Sequence, residues 1–173
     1  MRHSSDGVII VGLILGATFG IAGTTVGSDA VRQIFWAIDG VGVVVATVLL
    51  AVRFLRGGDD TVAAGFIVFA FGETLLISGT AAGLEGSVPS FGGGVALWSA
   101  GLLLISVPKT LDSWVRAVGV VAAALFTVVA ARIFSGDRLV PTSSPLPFFA
   151  YPFIVMSFIG WIATVFKERR RPA

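Results

Sequence analysis

The sequence predicts an all-α, polytopic membrane protein: six transmembrane helices in a compact bundle, with the N- and C-termini in the cytoplasm. Three observations predict it. Mean hydropathy is +0.95 and only 13% of residues are charged, roughly half the charged share of an ordinary soluble domain. Six apolar stretches, each near the length needed to cross a bilayer, follow one another with short connections. Lysine and arginine then fall unequally on alternate connections. A chain of 173 residues cannot hide this much apolar surface in one water-soluble core, so lipid is the solvent the composition implies.

The first span, 7–27, is free of charge. Arg2 before it resembles the start of a signal peptide, but the apolar run is long for that role and reads as a span. The second, 31–52, carries Asp39 in its apolar interior, and the third, 61–84, carries only Glu73. The fourth, 91–107, starts after the turn-forming Pro89 and Ser90, with Phe91 and Gly92–Gly94 as a flexible beginning. The fifth, 114–134, includes Arg116 and Arg132, whose side chains can snorkel to the interfaces. The sixth, 147–166, follows a proline-rich stretch, and Pro152 falls in its first turns, where proline is tolerated. Residues 1–173 are thus expected to form a single transmembrane domain.

Orientation follows from the basic residues. With the N-terminus inside, the cytoplasmic segments hold nine lysines and arginines and the opposite side three. Trp114 and Tyr151 lie at predicted span ends, where interfacial aromatic belts form. The basic C-terminus (Lys167, Arg169, Arg170, Arg171) directly follows a span, so it reads as an anchor facing anionic lipid rather than a nucleic-acid contact. Simple hydrophobicity and short loops suit a bacterial or archaeal plasma membrane. Thr47–Arg53 and Thr127–Arg132 are faintly alike, but the likeness does not extend to the other spans, and no internal repeat is assigned.

Composition closes off much chemistry. Cysteine is absent and the single histidine, His3, lies in the N-terminal tail. Thiol catalysis, haem and zinc sites therefore lack ligands, and no cofactor or metal is expected. An aspartyl intramembrane protease needs two membrane aspartates, and only Asp39 is available. Phe91-Gly-Gly-Gly94 lacks the lysine and hydroxyl residue of a phosphate loop. Enzymatic activity is not the expectation.

The candidate proton- or ion-binding residues are Asp39 and Glu73. A charge near mid-bilayer costs on the order of 2.5–3.5 kcal/mol even on the lenient insertion scale. Two carboxyls at similar depth on consecutive spans suit a proton relay or a cation site; the alternative is a structural role through hydrogen bonds or an ion pair. Arg132 is the expected partner of Asp39 if the fifth and second spans touch. Arg32 shares a helical face with Asp39 at sevenfold spacing but leans away from it.

Glycines form a second pattern. Gly12, Gly16 and Gly20 recur every fourth residue on the first span, and Gly79 and Gly83 repeat the spacing on the third. Small residues so placed let helices approach closely, within one chain or between copies. Two readings from different classes follow. The first is a small channel or an ion- or proton-coupled transporter, oligomeric, with Asp39 and Glu73 on the pathway. The second is a non-catalytic accessory or scaffold subunit whose glycine faces bind a membrane-protein partner. A lipid- or quinone-binding enzyme built on Trp36, Phe69, Phe71 and Trp98 is a minor third.

Overall fold

A computed structural model describes residues 2–169, with side chains from residue 5 onward. Arg170 and Arg171 of the basic C-terminus, and the side chain of His3, lie outside the described residues. Among these residues the protein is all-helical. The helices are α1 (Arg2–Thr25), α2 (Asp29–Arg56), α3 (Asp60–Thr80), the single turn α4 (Gly83–Gly86), α5 (Val88–Ser106), α6 (Ser113–Phe134) and α7 (Tyr151–Arg169). All but α4 are long and apolar enough to cross a membrane, which makes the chain an integral membrane protein by length and composition.

The boundaries follow local chemistry, as those of the third, fourth and sixth spans illustrate where they differ from expectation. The third span ends at Thr80 rather than 84, because Gly83 adopts φ +74°, a left-handed conformation open to glycine at no steric cost. The fourth begins at Val88 with Pro89 inside its first turn, so Gly92, Gly93 and Gly94 are helical rather than a flexible lead-in. The sixth span is helical only from Tyr151, after a short 3-10 turn, Phe148–Ala150. Arginines cap two helix ends. Arg32 donates to the carbonyls of Gly23 (3.2 Å) and Val26 (2.6 Å) at the end of α1. Arg116 donates to Ser106 (2.8 Å) and Val107 (3.0 Å) at the end of α5. Both satisfy carbonyls that have no intrahelical partner.

The long helices pack in chain order, α1 on α2 on α3 on α5 on α6 on α7, and α7 closes the ring against α1. Two glycine seams set the distances. On the α1–α2 seam, a Cβ on Gly42 would stand 2.8 Å from the Gly12 carbonyl oxygen. On the α3–α5 seam, a Cβ on Gly72 would stand 2.7 Å from the Gly94 oxygen, and one on Gly101 would stand 2.8 Å from the Gly65 oxygen. Backbones in such contact have no room for a side chain. Along α3 this row is Gly65, Gly72 and Gly79, spaced by seven.

The ring is filled unevenly. Near the end that carries both termini, aromatic side chains close its interior. Phe66 stacks on Phe54 (centroids 5.5 Å apart) and meets Trp161 edge-on (4.9 Å). Phe69 meets Trp161 (5.5 Å) and stacks on Trp98 (5.4 Å). An ionic cluster lies beneath them. Asp6, 3% exposed, accepts from Arg53 of α2 (2.6 Å) and Arg169 of α7 (2.7 Å), and Arg53 also pairs with Glu168 (2.6 Å). At the opposite end the interior is left open as a cavity.

Candidate functional site

Both membrane carboxyls belong to this cavity. Asp39 of α2 lies against the glycine row of α1: a Cβ on Gly20 would stand 2.9 Å from one carboxylate oxygen, and a Cβ on Gly16 3.2 Å from the other. Glu73 of α3 lies over the backbone of α2, its Oε1 3.2 Å from the position of a Cβ on Gly40. Glycine at 16, 20 and 40 is what admits the two carboxyls between closely packed helices. Asp39 and Gly40 are consecutive, so one helical turn of α2 presents the first carboxyl to α1 and receives the second from α3. Both groups line the same cavity.

The cavity has an empty volume of about 770 Å³, its open mouth included. Its walls are largely aromatic and aliphatic: Trp36, Phe91, Trp98, Tyr151, Ile154 and Phe158 surround the carboxyls, and Thr24, Thr80, Ser87 and Pro141 lie toward the open end. Among the described residues, no lysine, arginine or histidine lines it. Glu73 is 3% exposed, and neither carboxyl has an ion pair among the described residues. Trp98 is 8% exposed; its buried indole N–H faces Glu73 yet makes no hydrogen bond of ordinary geometry. Two further polar groups are spent on the walls. The Trp36 indole donates to the Gly20 carbonyl (3.4 Å), and the Tyr151 hydroxyl donates to the Pro141 carbonyl (2.9 Å), tying the 135–150 connection over the cavity rim. Among the described residues no cluster of three histidines, cysteines or carboxylates forms a metal-ligand set.

The expected partner arginines are not at the site. Arg132 pairs instead with Asp137 (2.6 Å) at the surface, because α6 packs between α5 and α7 rather than on α2 and a nearer carboxylate is five residues away. Arg32 pairs with Asp29 within its own first turn and otherwise caps α1. The glycine rows are used within the chain. Gly12 meets Gly42, Gly16 and Gly20 meet Asp39, and Gly79 meets Ser90. Gly83 has nothing within 4 Å of a Cβ position and belongs to a turn, so the expected Gly79–Gly83 packing pair does not exist. Of the aromatics considered for a quinone or lipid site, Trp36 and Trp98 line the cavity, Phe69 lies behind Trp98, and Phe71 points outward, 64% exposed. Tyr151 faces the cavity and not only an interfacial belt.

Sequence reasoning missed Tyr151, Phe158 and Phe91 as wall residues. Aromatics in an apolar span carry no periodic mark that separates a cavity wall from a lipid-facing side. Comparison with known proteins adds nothing to these observations: no family model matches the chain, and no curated protein or solved structure matches it significantly.

Proposed function

We propose that the protein is a small ion- or proton-coupled membrane transporter whose site is the Asp39–Glu73 cavity, with both termini cytoplasmic and the cavity open to the opposite side. The observation that carries this reading is that two carboxyls from neighbouring helices share one cavity without a cationic partner. Burying unpaired carboxyls without compensation is costly, and a pathway that takes up protons or cations supplies the missing compensation. A cavity open at one end and filled by Phe54, Phe66, Phe69 and Trp161 at the other favours a carrier over an open channel, since a continuous pore needs both ends clear. The plasma membrane of a bacterium or archaeon remains the location the composition favours. The accessory-subunit reading loses support, because Gly12, Gly16 and Gly20 are occupied by α2 and Gly79 by α5 of the same chain.

The test is ion flux into liposomes carrying the purified protein, with imposed proton, sodium and potassium gradients. The native protein is expected to dissipate at least one gradient, and Glu73→Gln and Asp39→Asn to reduce the rate tenfold or more while eluting as folded protein. Flux that is absent under every gradient, or equal in both variants, would overturn the reading.

A further inference from the structure

We infer that the cavity binds a lipophilic organic cation, an ammonium or phosphonium group carrying aromatic or alkyl substituents, with its charge at Asp39 and Glu73 and its body against Trp36, Phe91, Trp98 and Phe158. This names the substrate class of the site proposed above and rests on that reading. Charge, wall chemistry and access point the same way.

The charge argument is one of sign. Among the described residues, the ionisable side chains lining the cavity are Asp39, Glu73 and Tyr151, and none is basic. An anionic ligand would find no counter-charge there, and a neutral one would leave buried Glu73 and partly buried Asp39 to be neutralised by protons alone. A cation supplies what is missing. The wall argument decides between a bare ion and an organic one. A metal or alkali ion needs some six oxygen ligands arranged around it. The carboxyls here are flanked instead by the rings of Trp36, Trp98, Phe91 and Phe158 and by Ile77 and Ile154. Ring faces attract a weakly hydrated cation by their quadrupole, most strongly where water is excluded, and recognition of substituted ammonium groups by aromatic walls is the usual outcome.

Access agrees. The cavity opens to the surface past Thr24, Thr80 and Pro141. Ile21, 42% exposed and also a lining residue, places apolar surface at the mouth, where an apolar substituent can pass.

Binding is measured by equilibrium dialysis on the full-length protein in detergent, with three probes: tetraphenylphosphonium, benzyltrimethylammonium and neopentylbenzene. The last replaces the nitrogen of the second by carbon at nearly unchanged shape. Saturable binding of the cations is expected, with neopentylbenzene at least tenfold weaker. Glu73→Gln and Asp39→Asn should each weaken cation binding tenfold or more, Trp98→Leu by about fivefold, and Arg132→Ala not at all. Equal affinity for neopentylbenzene and benzyltrimethylammonium on the native protein would overturn the proposal, and this comparison stands even if a variant does not fold. The absence of saturable cation binding to folded protein would overturn it as well. Gradient dissipation in liposomes with no organic-cation binding sinks this inference and leaves the transport reading intact. Cation binding with no translocation of any kind does the reverse.

Discussion

At the scale of single residues, the molecule separates side chains that secure the site from those that only decorate it. Tyr151 belongs to the first group. Its hydroxyl holds the Pro141 carbonyl at 2.9 Å, and Tyr151→Phe should cost about 1 kcal/mol while raising hydrogen exchange in the 135–147 connection. Arg132 belongs to the second. Its pair with Asp137 is about half exposed on both sides, so Arg132→Ala should shift stability by at most about 1 kcal/mol in a thermal melt. Asp39 and Glu73 were legible in the sequence because a carboxyl inside an apolar span is costly and therefore rare. Their arginine partners were misjudged for an equally simple reason: a flexible guanidinium takes the nearest carboxylate, and for Arg132 and Arg32 that lay five and three residues away. Tyr151, Phe91 and Phe158 were illegible as wall residues, since nothing in an apolar run says which ring faces a cavity.

At the scale of helices, glycine decides the packing. The six spans were recognisable from length and charge, and their ends shifted where turn chemistry prevailed, as at Gly83. The fourfold spacing on α1 was visible, but the α3–α5 seam follows a sevenfold spacing, Gly65-Gly72-Gly79 against Gly94-Gly101. A search at intervals of four passes over it. This seam gives a sharp expectation. In Gly101→Ala the new methyl would stand 2.8 Å from both the Gly65 oxygen and the Phe69 nitrogen, backbone atoms that cannot rotate away. The cost should be about 1–3 kcal/mol, read as a lowered melting temperature in detergent. Gly7→Ala meets nothing within 4 Å and should be neutral or slightly stabilising, since alanine is the better helix former. A melting temperature for Gly101→Ala at or above that of Gly7→Ala would refute the seam as described.

For the whole molecule, the ring of helices is closed at one end by ions and rings of carbon, and left open at the other. Asp6 holds that closure by accepting from α2 and α7 together. Asp6→Asn should destabilise the protein by about 1–3 kcal/mol, well beyond the loss from Asp112→Asn, whose partner Lys167 is half exposed. If transport requires this end to open, Asp6→Asn should also change the flux rate where Asp112→Asn does not. The all-helical architecture was readable from composition alone, whereas the blind end was not. It arises from side chains of α2, α3 and α7 meeting across the ring, a long-range property that no local pattern encodes.

The chain-order packing has a consequence for how the protein is made. Each helix rests on the one synthesised just before it, so nearly all contacts are available as the chain emerges. The exceptions are the contacts of α7 with α1, α2 and α3: Arg169 reaches Asp6 across 163 positions, Glu168 pairs with Arg53, and Trp161 meets Phe66 and Phe69. The cavity's last wall, with Tyr151, Ile154 and Phe158, therefore arrives with the final helix. A chain interrupted before residue 148 would carry both carboxyls on a strip of helices with no enclosure around them, and biosynthesis itself withholds the site until the last span is in place.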